Sequence, residues 1–145
     1  MNTPLNLIIH CSATEAGQYF DASDIDSWHK ARGFKGIGYH YVILLDGTVE
    51  VGRKENEIGA HCLGKNDYSI GICYIGGLVN KKATDTRTPE QLKSMIELIK
   101  RLMDKYAGIE LHGHNEFANK ACPCFDVMEW WRGVGDLDPK EQPTI

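Results

Sequence analysis

The most informative stretch of this chain is fifteen residues long, HGHNEFANKACPCFD (residues 112–126). It carries imidazole, thiol, ammonium and carboxylate groups, and imidazole nitrogen and thiolate sulfur are ligands that Zn²⁺ prefers. His10, near the start of the chain, adds a further imidazole. Three protein ligands leave a position for water and are typical of catalytic zinc, whereas a fourth closes the site and makes it structural. Whether this chain has a catalytic or a structural zinc site therefore depends on how many of these side chains bind the same metal ion.

Length and composition are those of a single globular domain, residues 1–145. Hydrophobic residues make up 42% of the chain and charged residues 25%, which is ordinary for a folded domain. The net charge is −4, and no Lys/Arg-rich patch is present, so we expect neither a nucleic-acid partner nor a membrane partner. An anionic polymer would have to be recognised by a shaped groove rather than by bulk charge.

The cysteines indicate a reducing compartment. There are five of them, an odd number without the spacing of a disulfide framework: Cys11, Cys62, Cys73, Cys122 and Cys124. This pattern favours free or metal-bound thiols. The N-terminus has neither the basic region nor the long apolar region of a signal peptide. We therefore expect the protein to be cytoplasmic in the producing cell.

Apolar runs and turn signals predict five strands. Asp46-Gly47 is a strong hairpin signal between strands predicted over residues 39–45 and 48–52. The other strands are predicted over residues 5–11, 69–75 and 109–112. Residues 12–22 and 53–67 are predicted to be loops.

Three helices are predicted to accompany the strands. Ser23 or Asp21 caps the first, which ends at Gly33 and whose buried face is expected to hold Ile25, Trp28 and Ala31. The capping box Thr88-Pro-Glu-Gln91 opens the second, which ends at Gly108. The third runs from about residue 125 to 131, and a frayed tail is expected from residue 133 onwards. Because strands and helices alternate around one hairpin, the predicted fold is α/β, a central mixed β-sheet flanked by helices in a single domain.

Two ligand sets fit a metal site where the first and last strands end. One is His10, His112 and His114, and the other is His10, His114 and Cys122. His112 and His114 share a face if the last strand continues through Gly113, and they diverge if it breaks there. The two thiols of Cys122-Pro-Cys124 could also both bind, which would tend to close the site. Zinc-finger spacing is absent, so a structural zinc is less favoured.

Tyr39 is a further candidate for the site. It is followed by His40 on a predicted strand, so only one of the two can face the metal, with Tyr41 on the same side as Tyr39. A core tyrosine with a satisfied hydroxyl is the ordinary alternative for Tyr39.

Three further residues carry groups suited to catalysis or binding. His29 is expected on the exposed, polar face of the first helix. His61, in a glycine-flanked loop, has no preferred interpretation. Lys120 differs from the other lysines only in standing two residues before Cys122.

These residues, in this order, resemble the type 2 family of N-acetylmuramoyl-L-alanine amidases, above all its small phage lysozymes. The resemblance is collinear over roughly residues 5–131, and peptidoglycan recognition proteins share the fold family. The matching segments are IIHCSAT (8–14), WHKARG (28–33), GYHY (38–41), DGTVEVGR (46–53), GAH (59–61), NDYSIGICYIGG (66–77), TPEQ (88–91) and KACP (120–123).

The resemblance implies a role for each candidate residue. One Zn²⁺ per chain would be held by His10, His114 and Cys122 in a groove at the strand ends. Tyr39 and Lys120 would be catalytic, and His61 would lie beside the bound substrate. One departure is Cys124, where the phage enzymes carry a small hydroxyl residue; a thiol there is expected to compete for zinc or to oxidise with Cys122.

The implied activity is zinc-dependent hydrolysis of the amide bond between N-acetylmuramic acid and L-alanine in peptidoglycan. A monomeric phage or prophage endolysin that reaches the cell wall on lysis or through a partner pore fits this activity. One alternative is a non-catalytic peptidoglycan-binding or regulatory protein on the same fold, and another is a zinc hydrolase of a different amide. Members that only bind commonly lack the cysteine ligand, so Cys122 favours the enzyme.

Overall fold

The computed structural model describes residues 3–134, which fold into two β-sheets and three α-helices. The elements follow in the order β1 (Asn6–Cys11), β2 (Thr14–Glu15), α1 (Ala22–Ala31), β3 (Tyr41–Ile43), β4 (Val49–Val51), β5 (Ser69–Tyr74), β6 (Gly77–Val79), β7 (Lys82–Ala83), α2 (Pro89–Lys105), β8 (Glu110–Gly113) and α3 (Val127–Val134). Two short 3₁₀ helices span Asn66–Tyr68 and His114–Glu116.

The central sheet has the strand order β4-β3-β5-β1-β8. β1 pairs in parallel with both β5 and β8, β3 pairs in parallel with β5, and β4 joins antiparallel to β3. The predicted mixed sheet is therefore confirmed. Because β1 and β8 are parallel neighbours, their carboxyl ends meet at one edge of the sheet, and this edge brings His10 close to the residues that follow Gly113.

Each face of the central sheet is covered by helices. The larger core packs α2 and α3 against one face, through side chains such as Ile9, Ile72, Met95, Ile99 and Val127. The smaller core packs α1 against the other face, around Ile25, Val42 and Cys73. Alternate residues of a strand point to opposite faces, so His10, next to Ile9, lies on the α1 face.

The first helix is rotated relative to the prediction. Asp21 is its N-cap, and the side chain of Asp21 accepts a hydrogen bond from the Asp24 N–H in a capping box, so Ser23 is not the cap. Its buried residues are Ile25 and His29, whereas Trp28 is 38% exposed and Ala31 is also exposed. Positions 25 and 29 are one turn apart and therefore share a face, and this face packs on the sheet.

A second, small sheet was not predicted. It has the order β2-β6-β7, and two of its three strands are only two residues long. β2 lies within the predicted loop 12–22 and pairs with β6 through Thr14 and Glu15. Strands this short leave no period-2 pattern in the sequence.

The end of the described chain also differs from the prediction. α3 continues through Gly133 to Val134, whose side chain is buried, so these two residues are helical rather than frayed. The rest of the predicted tail, residues 135–145, lies outside the described residues. Among the helices of residues 3–134, none combines the length and the apolar character needed to cross a bilayer.

Candidate metal centre

His10, His114 and Cys122 converge at the carboxyl ends of β1 and β8. Each offers one ligand atom, and these atoms all lie within 4.8 Å of one another. His10 is the fifth residue of β1, His114 directly follows β8, and Cys122 comes from the segment that leads to α3. Within residues 3–134 this is the group of histidine, cysteine and carboxylate side chains whose geometry suits a metal ion.

His112 is directed away from this group. Its Nδ1 lies 2.8 Å from a carboxylate oxygen of Glu116, and its ring packs edge-on against Phe117. β8 ends at Gly113, and the chain turns into a 3₁₀ helix at His114. The break at the glycine therefore separates the two histidines, and the structure does not bring the three-histidine set together.

Cys124 does not join the cluster either. Its Sγ lies 3.9 Å from the Sγ of Cys11, and its thiol donates to the Gly77 carbonyl at 3.4 Å. Burial and the neighbouring Cys11 raise the pKa of the Cys124 thiol to about 12, which keeps it protonated and a poor ligand. Its thiol neighbour is thus Cys11, not the Cys122 that the sequence suggested.

The nitrogen atoms of the two histidines fit a metal. Nδ1 of His114 is buried and has no hydrogen-bond partner among the described residues, although such an unpaired buried atom is normally costly. Nδ1 of His10 lies 4.0 Å from the Sγ of Cys122, within the sum of the Zn–N and Zn–S bonds, about 4.3 Å. A metal ion between these atoms would satisfy both histidines.

The protonation states of His10 and His114 also suit metal binding. Burial, followed by the charges of His61, His114 and Lys120, lowers the pKa of His10 well below its usual value. Burial and Lys120 also lower the pKa of His114. A neutral imidazole keeps a lone pair for a metal ion, so both rings are ready to act as ligands at neutral pH.

The sulfur of Cys122 is held by the backbone of β1. The N–H of Cys11 donates to it at 3.2 Å. A hydrogen bond of this kind orients a ligand atom and stabilises negative charge on it. The sulfur is therefore held in place at the end of β1, beside His10.

Tyr39 lies beside the cluster. Its ring centroid is 5.0 Å from that of His10 and 5.4 Å from that of His29. Burial, followed by the charges of nearby thiols, raises the pKa of Tyr39 well above its usual value. At neutral pH Tyr39 is consequently a phenol and not a phenolate.

The prediction that Tyr41 shares the side of Tyr39 is wrong. Tyr39 packs against the smaller core, whereas Tyr41 is buried in the larger one. The chain bends at His40, just before β3 begins, and the bend interrupts the alternation of side chains. His40 is itself buried and is bonded to the backbone, accepting from the Gly71 N–H and lying 2.7 Å from the Glu57 carbonyl oxygen.

His29 is buried rather than on the surface. Its Nδ1 accepts a hydrogen bond from the Gly38 N–H at 2.9 Å, and its ring contacts Phe34 as well as Tyr39. His29 therefore supports the segment that carries Tyr39. The signal that could have identified it is its spacing of four residues from the buried Ile25.

His61 lies behind His10. The Nδ1 of His61 is 2.9 Å from the Nε2 of His10, and its own Nε2 is 3.2 Å from the hydroxyl of Ser69. The residue is 9% exposed. Both of its nitrogens are therefore engaged by the protein.

A groove of about 620 Å³ opens beside the cluster and is lined by one of the three cluster residues, His114. Its lining includes the histidines His29, His61 and His114, the aromatic residues Phe34, Tyr39 and Phe117, and the cations Arg32 and Lys120. No carboxylate from residues 3–134 lines it, although the whole chain carries a net charge of −4. The groove thus combines aromatic walls with positive charge and suits a ligand that carries carboxylates.

Comparison with protein families and curated proteins gives a consistent result. A family model described as N-acetylmuramoyl-L-alanine amidase matches residues 1–125, a range that includes His10, His114 and Cys122. The endolysin of Escherichia phage T7 is 44% identical over 126 residues, which are 86% of this chain and 83% of that protein.

Solved structures agree with the sequence comparisons. LysC, an N-acetylmuramoyl-L-alanine amidase from Clostridium intestinale URNW, has a TM-score of 0.77 at 32% identity and covers 90% of this chain and 84% of its own. A Drosophila PGRP-LB mutant in complex with tracheal cytotoxin also has a TM-score of 0.77, at 28% identity, covering 90% of this chain and 81% of its own.

Proposed function

The chain belongs to the N-acetylmuramoyl-L-alanine amidase family, and from this we propose that it is a zinc-dependent endolysin that hydrolyses the bond between N-acetylmuramic acid and L-alanine in peptidoglycan. The observation that carries the proposal is the convergence of His10, His114 and Cys122 beside an open groove. Three protein ligands, of which His114 lines the groove, are the arrangement of a catalytic metal, since a structural zinc has four.

Zinc is proposed as the metal because the donor set is two imidazoles and one thiol, which are the ligands it prefers. When bound, it supplies a Lewis acid that polarises the scissile carbonyl and lowers the pKa of a water molecule towards about 7. The protein contributes neutral histidines and a sulfur held by the N–H of Cys11.

Lys120 is proposed to stabilise the oxyanion that develops on the carbonyl oxygen. Its side chain lines the groove and is near enough to lower the pKa of both His10 and His114. A positive charge placed where negative charge develops is more effective in the transition state than in the ground state, so it accelerates the reaction.

Tyr39 is proposed to orient the attacking water through its hydroxyl. Because its pKa is raised, it keeps its proton at neutral pH and acts as a donor rather than as a base. The packing of its ring against His10 and His29 holds Tyr39 beside the ligand cluster. The family resemblance implies that His61 lies beside the substrate, and His61 does line the same groove, but both of its ring nitrogens are already engaged by His10 and Ser69.

A purely binding role is the alternative function. The similarity to PGRP-LB, whose mutant was solved with the peptidoglycan fragment tracheal cytotoxin, is compatible with either role. The thiol of Cys122 in the ligand cluster favours the enzyme, because a protein that only binds the wall has no need for a metal site with an open position.

The proposal also implies an oligomeric state, a place of action and a partner for the protein. We expect a monomeric single-domain enzyme, spanning residues 1–145, that is made in the cytoplasm and acts on the cell wall. Peptidoglycan is its expected partner, without nucleic-acid or membrane partners.

The test is the release of new L-alanine amino termini from purified peptidoglycan. Protein as purified, protein stripped with a chelator and protein restored with zinc are compared. We expect release that stops on stripping and returns with zinc. Protein that holds one equivalent of zinc but releases nothing would favour the binding role, and release that survives complete stripping would contradict the role of the metal.

A further inference from the structure

We propose that His61 and Ser69 form a hydrogen-bond relay that holds His10 in the tautomer whose Nδ1 is free to bind the metal. The inference rests on the ligand set of the proposed function, and it assigns His61 a positioning role instead of a contact with substrate. The relay runs from the backbone of the loop before β5, through two buried side chains, to a ligand on β1.

The direction of the relay is set at its far end. The Ser69 hydroxyl donates to the carbonyl oxygen of Lys65 at 2.7 Å. A serine has one hydroxyl hydrogen, so Ser69 can only accept from Nε2 of His61, which lies 3.2 Å away. His61 must therefore carry its proton on Nε2.

The consequence passes on to His10. A neutral imidazole with a proton on Nε2 has a lone pair on Nδ1, and the ring of His61 is buried beside the imidazoles of His10 and His40. Nδ1 of His61 therefore accepts the hydrogen bond from Nε2–H of His10 over their 2.9 Å separation. The proton of His10 is then on Nε2, which leaves Nδ1 as the unprotonated atom facing Cys122.

The surroundings of His61 hold its ring in this position. A Cβ atom at Gly71 would lie 2.7 Å from Cγ of the His61 ring, and one at Gly59 would lie 2.6 Å from its Cδ2. The ring thus fills space that two glycines leave open. The backbone N–H groups of His61 and Cys62 both donate to Oδ1 of Asn66, at 2.9 and 3.0 Å, which ties down the loop that carries the ring.

The burial of the relay argues against direct contact with substrate. Ser69 is fully buried, His10 is 1% exposed and His61 is 9% exposed. A substrate that took a hydrogen bond from either nitrogen of His61 would have to break the relay. Partners of this kind, which orient a ligand through its second ring nitrogen, typically change metal affinity about 10–100-fold when removed.

The first test is nitrogen NMR of the histidine rings in metal-free wild-type protein. We expect His10 and His61 both to be neutral and protonated on Nε2, with a coupling across the hydrogen bond from Nε2 of His10 to Nδ1 of His61. A proton on Nδ1 of His10 would overturn the proposal. The measurement needs neither a substitution nor bound zinc.

The second test measures the zinc dissociation constant by competition with a chelator. His61→Leu removes the acceptor, and we expect the dissociation constant to rise about 10–100-fold. His61→Asn keeps an oxygen acceptor close to the position of Nδ1, and we expect it to restore most of the affinity. Equal losses in both variants, or no loss in His61→Leu, would overturn the relay.

Ser69→Ala tests the remote end. We expect the dissociation constant to rise up to about tenfold, because His61 is then free to reverse its tautomer. The matched control is Ser94→Ala on α2, which also removes one hydroxyl bond to a backbone carbonyl, that of Gly47, but lies outside the relay. An equal effect of the two serine variants would contradict the proposal. All these measurements are independent of amide cleavage, so an inactive enzyme would not be mistaken for a failed relay.

Discussion

The Sγ of Cys122 lies 4.0 Å from Nδ1 of His10, although 112 positions separate the two residues in the chain. Parallel pairing of β1 with β8 brings the ends of the two strands together, and the N–H of Cys11 fixes the sulfur at the end of β1. The candidate metal site is thus a product of the sheet topology, and its properties can be tested one residue at a time.

Cys122→Ser should abolish stable zinc binding. A neutral hydroxyl is a far weaker zinc ligand than a thiolate, and only two imidazoles would remain. Zinc content is measured by elemental analysis after gel filtration. The matched control is Cys124→Ser, which removes a thiol that contacts Cys11 and Gly77 instead of the cluster; it should keep one equivalent. Loss of zinc in both variants would show that both thiols bind the metal.

Lys120→Ala should retain zinc and lower kcat by about 10²–10³-fold, the usual effect of removing a group that stabilises an oxyanion. The lysine is exposed, so the fold should not depend on it. The measurements are the rate of amino-terminus release and the zinc content. Lys93→Ala, an exposed lysine on α2, should have the activity of wild type. If Lys120→Ala lost its zinc, the lysine would be supporting the metal site and not the transition state.

Tyr39→Phe should also retain zinc while losing most of its turnover. The phenylalanine ring keeps the contacts with His10 and His29, so the change is confined to the hydroxyl. Steady-state kinetics on a soluble muropeptide would separate the effects, with a fall expected in kcat and little change in KM. Tyr19→Phe, in a tyrosine that is 62% exposed, is the control. Unchanged kcat in Tyr39→Phe would restrict Tyr39 to a packing role.

The central sheet and α2 could be predicted because their signals are local. The buried strands are short apolar runs, and the capping box at Thr88 and Gln91 forms as the sequence indicates. β2, β6 and β7 could not be predicted, since two or three residues hold no periodicity. β2 pairs with the distant β6, which leaves no local pattern. β6 and β7 form a tight local hairpin, but both strands are too short to show an alternation.

The choice between the two predicted ligand sets also depended on structure that the local sequence does not encode. Spacing alone does not decide between His112 and His114, because the result depends on where β8 ends. A local signal against His112 as a ligand did exist. Glu116 stands four residues after His112, and its carboxylate forms a hydrogen bond with Nδ1 of His112. For His29 a local signal also existed, because it stands four residues after Ile25 and shares that face of the helix. The contacts that Phe34 and Tyr39 make with its ring come from outside the helix and leave no pattern in the helix sequence.

Arg87 is expected to be a major contributor to stability. Its guanidinium lies 3.5 Å from the ring centroid of Phe125 and 4.4 Å from that of Trp130, and it makes two hydrogen bonds to the carboxylate of Asp85. The arginine is 5% exposed.

Arg87→Ala should therefore lower the free energy of unfolding by about 2 kcal/mol, since a desolvated cation–π contact is lost together with the hydrogen bonds that the buried guanidinium makes to the partly exposed carboxylate of Asp85. Urea unfolding followed by tryptophan fluorescence measures this. Lys30→Ala, which removes an exposed pair with Asp26, should cost at most about 0.5 kcal/mol. A similar small value for Arg87→Ala would mean that the segment repacks without the guanidinium.

Glu55 should make the stability of the protein depend on pH in the acid range. Burial opposes its ionisation, but hydrogen bonds from Lys105, Tyr106 and Tyr41 outweigh burial and lower its pKa from 4.5 to about 2. A carboxyl whose pKa is lower in the folded state stabilises the fold above its unfolded pKa, and the contribution is lost as the pH falls through the folded value. Wild type should therefore be more stable than Glu55→Gln at pH 7, and the difference should shrink between about pH 4.5 and pH 2.

Urea unfolding of wild type and Glu55→Gln at a series of pH values measures this difference in stability, with the exposed Glu97→Gln as the control. A difference between wild type and Glu55→Gln that stays constant down to pH 2 would show that the network does not depend on the ionised carboxylate.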